Sequence, residues 1–455
     1  MMRPLMLSEL LQPLQAQLVG NDLEIGGVTT DSRQIKDGDL FVALKGERFD
    51  GHDFLEKAVA AGASAALVSR DSEQPLSQLK VGDTQRALGL LGAHNRSMYQ
   101  GPLVAITGSS GKTSVKNMLR SVFSQKGQTL ATAGNFNNEI GVPLTLLELA
   151  PDVQYAVVEM GAGKAGDITW LCELGRPTVS VLLTVMPAHL ETFGTVDDIA
   201  SAKGEIFDGL GAGDHAVINA DLPWAQRWRE RAGAASVIDF ARQKPAAITA
   251  SEVQPLGLDG IRFTLQTPLG DIKVKLKLPG EHNVINAMAS TAVGIACGLD
   301  LAEIKTGLEL VESTPGRLAR SIAPSGAMVI DDCYNANPGS VRAAISALSG
   351  CEGQRTLILG AMRELGSTSA SLHRDMGEAA RDAGIEQFIG VGEELRGAVS
   401  AFGEGGIWFA DCESAIDALV NEFGAGDVVL IKGSRGARME RVLQALLARN
   451  SEEKD

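Results

Sequence analysis

The sequence predicts an α/β protein of three domains, and three observations lead to that fold class. The chain has 455 residues, whereas a single hydrophobic core stops growing at roughly 250–300 residues. Short runs of branched apolar residues alternate with amphipathic segments, a pattern typical of parallel sheets covered by helices. The alternation becomes regular from Gly101 and restarts after Thr314-Pro315-Gly316. We therefore predict a small N-terminal α/β domain over residues 1–100, a central P-loop domain with a parallel sheet over 101–314, and a C-terminal doubly wound, Rossmann-like domain over 315–455.

The composition argues against several classes of partner. Lys and Arg number 41 against 56 Asp and Glu, a formal charge of −15, so no general basic field would gather nucleic acid. The five cysteines are odd in number and lack C-x-x-C spacing, which favours reduced thiols over a disulfide framework or a zinc site. No run approaches the ~18 consecutive apolar residues of a membrane helix. We expect a cytoplasmic protein that binds neither nucleic acid nor membrane.

The N-terminal domain carries two polar loops, TTDSR at 29–33 and KGERFDGHDF at 45–54. Taken alone, these residues are typical of turns. A loop with Ser32 and Arg33 beside Lys45 could also hold a diphosphate, because cationic donors pair well with phosphate oxygens. The elements expected around the loops are strands at 40–44 and 65–68 and a helix over 54–61.

A strand, a glycine-rich turn and a helix follow one another at the start of the central domain. The apolar run 103–106 has the length of a buried strand, and the turn after it reads TGSSGKT. The next apolar residues recur at spacings of three and four, which places them on one face of a helix. That stripe comprises Val115, Met118, Leu119, Val122 and Phe123. Such a unit is typical of a loop that binds phosphate at a helix N-terminus.

The turn matches a phosphate-binding loop in shortened form. Backbone N–H groups must approach the anion closely, which a side chain at Gly108 or Gly111 would obstruct. Lys112 would contact the terminal phosphates, and Thr113 would offer its hydroxyl to Mg²⁺. The full motif G-x-x-x-x-G-K-[ST] needs glycine where Ile106 stands, so the match is to G-x-x-G-K-T. The alternative is an ordinary glycine turn with an exposed lysine, and the flanking strand and helix favour phosphate binding.

Further polar residues follow the strands predicted for the central sheet. Ligands of parallel sheets bind beyond the carboxyl ends of the strands, where Glu159 and His189 fall. Lys203 follows on a predicted helix with Glu205 close by, and alone it is explained as an ion-pair partner. An asparagine-rich segment at 131–143 is either a plain turn or a loop that lines a polar ligand. The strands expected here are 155–159, 179–184 and 215–219.

The last part of the central domain and the third domain contain further strands. Apolar residues at 272, 274, 276 and 278 alternate with three lysines after a TPLGD turn, which predicts a strand with one solvated face. The third domain has the alternation of a doubly wound sheet. Its strands are expected at 328–331, 356–359, 387–390, 407–409 and 428–431.

A series of segments, taken in order, resembles the Mur ligase family. They are TGSSGKTS, NFNNEIGVP, VVEMG, AHLETFG followed by AKGEIF, LPGEHNVINA, PGR, DDCYNANPGS, LGAMRELG and IKGSRG. Several are weak signals alone, but their joint order spans the whole chain. DSR with DGHDF, YNANP, and GAMRELG with His373 downstream resemble the branch of the family that adds D-alanyl-D-alanine to UDP-N-acetylmuramoyl-tripeptide.

The resemblance implies ATP-driven amide synthesis through an acyl phosphate, with Mg²⁺ at two sites, by a protein expected to be a monomer. It places ATP against Gly108, Ser109, Ser110, Gly111, Lys112, Thr113, Ser114, His282, Asn283, Asn286, Arg317 and Asp332. The implied metal ligands are Thr113, Glu159, His189 and Lys203, with Lys203 carbamylated by CO₂, and the implied catalytic residues are Lys112, Glu159, His189 and Lys203. The implied contacts of the UDP-sugar are Ser32, Arg33, Lys45, Asn135, Asn137 and Asn138. The peptide ends and the incoming dipeptide would face Asn335, Asn337, Glu364 and the loop 432–434.

Three alternatives remain open at this point. One is a related ligase on the same scaffold, which adds the third peptide residue or extends folate with glutamate. A second is a nucleotide-dependent switch, which predicts slow ATP turnover that is indifferent to D-alanyl-D-alanine. The asparagine-rich loop and the two additional domains disfavour a switch. The third is an α/β protein whose glycine turn binds nothing.

Overall fold

Three α/β units follow one another along the chain, each built around its own sheet. The structure is a computed structural model that describes residues 2–46, 49–187, 190–257 and 259–448. Its three largest sheets have five, six and six strands, and each sheet takes its strands from one unit only. The predicted α/β class with three units is confirmed. Over the described ranges, no helix has both the length and the apolar character needed to cross a membrane.

The N-terminal unit is a small sheet with helices packed on it. Its strands are β1 (Leu5–Met6), β2 (Gln17–Val19), β3 (Glu24–Ile25), β4 (Gly27–Thr29), β5 (Asp39–Val42), β6 (Ala65–Val68) and β7 (Ser77–Lys80), and its helices are α1 (Leu11–Leu14), α2 (Leu55–Ala60) and α3 (Thr84–Ser97). The five-stranded sheet has the order β2-β7-β6-β5-β4, and only β2 pairs in the antiparallel sense. Every residue of β5 and β6 is buried. These two strands were therefore predictable from their apolar runs, whereas the short, partly exposed β2 and β4 were not.

The central unit holds a fully parallel sheet. Its strands are β8 (Leu103–Thr107), β9 (Thr129–Ala131), β10 (Tyr155–Glu159), β11 (Val179–Leu182), β12 (His215–Asn219) and β13 (Ser236–Phe240), and its helices are α4 (Lys112–Phe123), α5 (Gly141–Leu147), α6 (Asp167–Gly175), α7 (Leu190–Phe193), α8 (Val196–Gly204) and α9 (Ala225–Arg231). The strand order is β13-β12-β11-β8-β10-β9. β8 therefore lies between β10 and β11, and the loops after these three strands open at the same edge.

Helix α4 is the predicted helix after the glycine turn. All five residues of the predicted stripe, from Val115 to Phe123, are fully buried. They pack with β8, β10 and β11 in one hydrophobic cluster. The helix begins at Lys112, three residues before its first apolar residue, so the lysine and the threonine after it lie in the first turn.

An antiparallel sheet and two helices complete the central unit: β14 (Thr249–Pro255), β15 (Ile261–Thr267), β16 (Gly270–Leu276), α10 (Glu281–Ala296) and α11 (Leu301–Leu310). The predicted one-sided strand is confirmed as β16. Lys273, Lys275 and Lys277 are exposed, whereas Val274 and Leu276 are buried between them. The lysines are therefore a solvated face, as predicted.

The C-terminal unit has the predicted doubly wound sheet. Its strands are β17 (Ala319–Ile322), β18 (Met328–Asp332), β19 (Gln354–Gly360), β20 (Gln387–Val391), β21 (Gly406–Phe409) and β22 (Asp427–Lys432), and its helices are α12 (Pro338–Ser349), α13 (Ser369–Asp382), α14 (Arg396–Phe402), α15 (Cys412–Leu419) and α16 (Glu440–Leu447). The order is β17-β18-β22-β19-β20-β21, with all pairs parallel except β17 with β18. The five predicted strands are confirmed. The edge strand β17 was missed because its residues are half-buried or exposed.

Candidate active site

A cavity of about 590 Å³ lies between the central and C-terminal units. It opens where β8, β10 and β18 end, the expected place for a ligand in parallel sheets. Most of the residues predicted for the site line it. They are Gly108, Ser109, Ser110, Gly111, Lys112, Thr113, Ser114, Asn135, Asn137, Asn138, Glu159, Lys203, His282, Asn283, Asn286, Arg317, Asp332, Asn335 and Asn337.

The glycine turn is held against the neighbouring strand by its backbone. The N–H of Ser109 donates to the carbonyl of Thr184 at 2.8 Å, and the N–H of Ser110 donates to the Thr184 hydroxyl at 3.0 Å. Gly111 has φ +85°, and a Cβ there would lie 2.6 Å from Oδ1 of Asn286. Only glycine suits that position, because it carries no Cβ and adopts positive φ readily. The turn is therefore a preformed cradle at the N-terminus of α4.

Lys112 points back into this cradle. Its Nζ donates to the carbonyl of Gly108 at 2.6 Å. Burial lowers the pKa of Lys112; the carboxylate of Glu159 counteracts this effect, and the guanidinium of Arg317 adds to it. An incoming polyphosphate would supply further negative charge to this half-buried ammonium.

Glu159 ends β10 as a nearly inaccessible carboxylate, 2% exposed. Its Oε1 accepts from Asn137 Nδ2 at 3.0 Å, and its Oε2 accepts from the Thr113 hydroxyl at 3.2 Å. Its own N–H donates to the Thr132 hydroxyl at 2.9 Å. The carboxylate and the Thr113 hydroxyl are both hard oxygen donors beside the phosphate cradle, which is the ligand type that Mg²⁺ prefers.

Lys203 lies near the end of α8 and is 3% exposed. Burial lowers its pKa to about 7, and the positive charge of Lys112 adds to the effect. Glu205, two residues later, fixes this end of the helix against α6. Its carboxylate accepts from the N–H of Gly166 at 2.9 Å and from the N–H and hydroxyl of Thr169 at 3.1 and 3.0 Å. Glu205 therefore positions the segment that carries the lysine.

The start of α10 also lines the cavity, next to the glycine turn. Asn283 Nδ2 donates to the carbonyl of Pro279 at 2.8 Å, and Asn286 Nδ2 donates to Asn283 Oδ1 at 3.0 Å. Desolvation lowers the pKa of His282 to about 4, and the positive charge of Lys432 contributes to this lowering. The imidazole is therefore neutral at pH 7 and suited to an uncharged aromatic partner.

The C-terminal unit contributes a cation and a buried ion pair. Arg317 Nη2 donates to the Thr113 hydroxyl at 2.9 Å, and its guanidinium lies 4.3 Å from the ring centroid of Tyr334. Lys432 Nζ donates to Asp332 Oδ2 at 2.5 Å and to the carbonyl of Asn335 at 2.9 Å. Burial raises the pKa of Asp332, and Lys432 counteracts this. The third unit therefore reaches Thr113, in the first turn of α4, directly.

Two of the predicted asparagines also have a local structural role. Asn138 Oδ1 accepts from the N–H of Gly141 at 2.9 Å at the start of α5, and Asn337 Oδ1 accepts from the N–H of Ser340 at 2.9 Å at the start of α12. Asn337 is the N-cap of α12, a position that favours asparagine, whereas Asn138 forms a side-chain turn before α5. Their positions in the cavity wall are therefore explained in part by these local contacts.

Some predicted residues lie elsewhere. Ser32, Arg33, Lys45 and Glu364 do not line the cavity. Arg33 forms a local ion pair with Asp31 and is largely exposed, and Glu364 is exposed with φ +63°. His189 lies outside the described residues.

Lys116 lies beside the site but was not among the residues predicted for it from the sequence. It is 4% exposed, and its Nζ donates to the carbonyl of Gly134 at 3.1 Å. A signal was present, because Lys116 precedes Leu119 and Phe123 by three and seven residues and so falls on the apolar side of the helix. A lysine at such a position indicates a buried charge with a specific partner.

The donor set fits magnesium better than a soft metal. Among residues 2–46, 49–187, 190–257 and 259–448, no group of three or more His, Cys, Asp and Glu side chains lies close enough together to hold a metal ion. Thr113 and Glu159 offer oxygen, and ATP phosphates complete the shell of Mg²⁺ in many nucleotide sites. The protein's own ligands therefore suit an ion that arrives with a nucleotide.

Three models of Mur ligase domains match the chain in order. The description "Mur ligase family, catalytic domain" matches residues 24–94, "Mur ligase middle domain" matches 106–294, and "Mur ligase, glutamate ligase domain" matches 316–435. Each match falls within a different one of the three units seen in the structure.

Full-length relatives and solved structures are also similar. The UDP-N-acetylmuramoyl-tripeptide--D-alanyl-D-alanine ligase of Escherichia coli K12 is 44% identical over 97% of this chain and 98% of its own length. A crystal structure of MurF from Acinetobacter baumannii is 36% identical, with TM-score 0.92 over 98% of this chain and 99% of that chain. The MurF ligase of Thermotoga maritima in complex with ADP is 30% identical, with TM-score 0.81 over 92% and 96% of the two chains.

Proposed function

The chain belongs to the Mur ligase family, and we propose that the cavity between its central and C-terminal units is the active site. The protein is an ATP-dependent ligase that adds D-alanyl-D-alanine to UDP-N-acetylmuramoyl-tripeptide in peptidoglycan synthesis. This location is supported by one observation above all: the glycine turn, Glu159, Lys203 and Arg317 line the same cavity.

We infer that ATP enters with its phosphates in the cradle at the start of α4. The backbone N–H groups of the turn and Lys112 would hold the β- and γ-phosphates, because helix N-termini and ammonium groups bind such anions. The neutral His282 and the amides of Asn283 and Asn286 would face the adenine side. Arg317 and Asp332 would complete the nucleotide site from the C-terminal unit.

The proposed chemistry activates a carboxylate that resists attack by an amine. A terminal carboxylate oxygen of the tripeptide attacks the γ-phosphorus of ATP, ADP leaves, and an acyl phosphate forms. The amine of D-alanyl-D-alanine attacks the carbonyl carbon, loses a proton, and expels inorganic phosphate as the amide bond forms. Lys112 and Arg317 would hold the phosphoryl oxygens as charge moves between them.

We propose that Thr113 and Glu159 hold Mg²⁺, and that Glu159, His189 and a carbamylated Lys203 form a second metal position. When bound, Mg²⁺ neutralises phosphate charge and polarises phosphoryl oxygens. The two described oxygen groups already lie 3.2 Å apart beside the cradle. This short distance between the Thr113 hydroxyl and the Glu159 carboxylate supports the proposal that both oxygens bind the same cation.

The state of Lys203 supports carbamate formation. Carbamylation joins the neutral amine nitrogen to the carbon of CO₂ and releases a proton, and a pKa of about 7 leaves much of the lysine neutral at physiological pH. The product is an anion, so it removes the repulsion between an ammonium at position 203 and a metal cation.

We propose that the other substrates bind on either side of ATP. Ser32, Arg33 and Lys45 lie in loops after the parallel strands β4 and β5, which is a ligand edge in such sheets, so they would hold the UDP-sugar with Asn135, Asn137 and Asn138. Asn335, Asn337, Glu364 and the loop 432–434 would face the peptide end and the dipeptide. On this basis residues 1–100, 101–314 and 315–455 would act as UDP-sugar, ATP and dipeptide domains.

We also propose that the protein acts in the cytoplasm, as a monomer, without nucleic-acid or membrane partners. ATP is a cytoplasmic substrate, and all five cysteines are free thiols in the structure, as is typical of reducing compartments.

Phosphate release tests the activity directly. Purified protein is supplied with ATP, Mg²⁺, UDP-N-acetylmuramoyl-tripeptide and D-alanyl-D-alanine, with the lysine and diaminopimelate forms of the tripeptide in parallel. We expect phosphate release that requires both peptide substrates, and a pentapeptide product by mass spectrometry. Equal release without the dipeptide would indicate a switch, and release with single amino acids would indicate a related ligase.

Lys203→Ala tests the proposed metal ligand. We expect turnover to be lost, with no rescue by high bicarbonate because the amine is gone. Wild-type protein depleted of CO₂ should lose activity and regain it with bicarbonate, and ¹³CO₂ should give a carbamate signal by NMR. Near-normal activity of Lys203→Ala would contradict the carbamate.

A further inference from the structure

Lys116 is a buried cation to which the mechanism above gives no task. It lies on α4 one turn after Lys112 and Thr113 and is 4% exposed. Burying an ammonium costs free energy unless charged or polar partners compensate. Desolvation accordingly lowers the pKa of Lys116, and Glu159 counteracts that effect. The reason for a lysine here must lie in its partners.

Those partners belong to two different parts of the active site. Nζ of Lys116 donates to the carbonyl of Gly134 at 3.1 Å and lies 3.7 Å from Oε2 of Glu159. Gly134 stands at the beginning of the asparagine-rich loop, whereas Glu159 is the carboxylate beside the phosphate cradle. One ammonium group therefore contacts both the loop and the carboxylate.

The same loop reaches Glu159 by a second route. Asn137 Nδ2 donates to Oε1 of Glu159 at 3.0 Å, and the carbonyl of Asn137 accepts from the N–H of Gly161 at 2.7 Å. Lys116 and Asn137 thus hold the loop to opposite oxygens of one carboxylate. Hydrogen-bonded networks of this kind in a low-dielectric interior are expected to be cooperative.

We propose that Lys116 is a positioning residue that holds the asparagine-rich loop against Glu159, so that binding of the UDP-sugar substrate and binding of the nucleotide with its metal support each other. The proposal rests on the function proposed above, in which this loop contacts the UDP-sugar and Glu159 binds the metal. When substrate binding changes the position of the loop, Lys116 follows through its contact with the Gly134 carbonyl, and Glu159 follows through its contact with Lys116. The coupling is reciprocal, as linkage requires.

The chemistry of the site explains why this residue is a lysine. A neutral side chain would leave the carbonyl of Gly134 without this donor and would remove the ammonium that lies 3.7 Å from the buried carboxylate of Glu159. Arginine keeps the charge and donors but is larger and planar. We therefore expect it to restore the contact only in part.

Steady-state kinetics of Lys116→Met, Lys116→Arg and the control Lys126→Met test the proposal. Lys126 follows the same helix, but its side chain is 41% exposed and contacts Glu303 at the surface. For Lys116→Met we expect the KM of UDP-N-acetylmuramoyl-tripeptide to rise at least tenfold, with an intermediate value for Lys116→Arg and a change below twofold for Lys126→Met. Melting temperatures identify which variants are folded.

A nucleotide-binding measurement and a double-mutant cycle separate coupling from loss of stability. The coupling ratio is the Kd of a non-hydrolysable ATP analogue with Mg²⁺ in the absence of the UDP-tripeptide, divided by its Kd in the presence of the UDP-tripeptide. We expect a ratio of severalfold in the wild type and a ratio close to one in Lys116→Met. Lys116→Met should also raise the KM less in an Asn137→Ala background than alone, because the loop is already partly released.

The opposing results are equally defined. A folded Lys116→Met variant with wild-type KM and wild-type coupling ratio overturns the proposal. The proposal is also overturned if the double variant Lys116→Met/Asn137→Ala raises the KM by the product of the two single increases, because the two residues would then act independently. If Lys116→Met does not fold, the coupling ratio and the double-mutant cycle are measured with Lys116→Arg instead, and the same criteria apply. A wild-type protein that releases no phosphate with these substrates would instead contradict the proposed function itself.

Discussion

At the scale of single residues, burial decides what each charged side chain can do. Lys203 has an ordinary lysine side chain, but it is 3% exposed in the fold, and its pKa falls from 10.5 to about 7. Between those two pH values the unfolded chain binds a proton at this position that the folded chain does not. The free energy of unfolding therefore rises with pH through this range. A residue suited to carbamylation is, for the same reason, a source of instability.

Lys203→Met should give an inactive protein that is more stable than the wild type. At pH 6 the whole cost of burying the ammonium is present, and its removal should stabilise the fold by roughly 2 to 4 kcal/mol. At pH 9 the gain should be about half as large, because much of the cost has already disappeared. Thermal unfolding in CO₂-free buffer at both pH values measures the difference, with the exposed Lys273→Met as control. A lower midpoint for Lys203→Met at pH 6 would refute this account.

At the scale of elements, the loops at the carboxyl ends of strands are held in place before any ligand binds. The turn between β8 and α4 bonds to the end of β11. In the N-terminal unit, His52 Nδ1 lies 2.6 Å from Asp50 Oδ1, and the N–H of Ser69 donates to His52 Nε2 at 2.9 Å. Because Nε2 accepts from a backbone amide, Nδ1 carries the proton, and the ring connects the loops after β5 and β6. Preformed loops of this kind lower the entropy lost on binding.

Gly111→Ala tests the preformed phosphate cradle. The substitution forces a side chain into φ +85° and to within 2.6 Å of Asn286 Oδ1, which should cost about 1–2 kcal/mol or more. We expect at least a tenfold loss of affinity for an ATP analogue, measured by calorimetry. The matched control is Gly397→Ala, where a Cβ meets nothing within 4 Å and the helix should be unchanged or slightly more stable. Equal affinities for the two variants would show that the cradle tolerates a side chain.

His52→Ala tests the connection between the N-terminal loops. It leaves the Asp50 carboxylate and the Ser69 amide without their shared partner, so the loop that carries Lys45 should lose its fixed position. We expect the KM of the UDP-tripeptide to rise roughly tenfold while ATP-analogue affinity stays within twofold, because the described cavity-lining residues begin at Gly108. Glu56→Ala, an exposed change on the adjacent α2, serves as control. An unchanged KM for the UDP-tripeptide in His52→Ala would contradict the role.

At the scale of the whole molecule, one face of α4 contacts the chain that leads from α11 into the C-terminal unit. Three polar residues spaced four apart make the contacts. Thr113 accepts from Arg317 at 2.9 Å, Asn117 donates to the Thr314 hydroxyl at 2.7 Å, and Ser121 donates to the carbonyl of Gly307 at 2.7 Å. Residues at this spacing share one helix face. The helix that begins at the glycine turn therefore also contacts the chain that leads into the third unit.

Asn117→Ala should loosen this attachment. Losing one hydrogen bond of 2.7 Å is worth about 1 kcal/mol, so Arg317 should be in place less often and kcat should fall roughly fivefold. The KM of each substrate should change less than twofold. Gln125→Ala, which removes an exposed contact further along the helix, should leave kcat unaltered. An equal kcat in both variants would mean that the linker does not control the reaction.

The order and type of most buried elements could be predicted from the sequence, and most of the residues predicted for the site do line the cavity. Apolar runs such as those of β8, β10 and β22 and the stripe on α4 are local patterns, and local patterns follow from burial on one side of an element. The exposed or short strands β2, β4 and β17 were missed because solvated edges need no apolar run. The boundaries proposed for the three domains remain a prediction.

The sequence by itself determined the fold class, the strand, glycine turn and helix at residues 103–123, and the family resemblance, because each depends on residues close together in the chain or on the order of motifs. Only the tertiary structure decided which distant residues share one site. Arg317 reaches Thr113 across 204 positions, and Lys116 joins Gly134 to Glu159. It also decided that Lys116 and Lys203 are buried, and burial changes the charge behaviour of a lysine. Such contacts and burial depend on how the whole chain packs, so they leave little signal in local spacing.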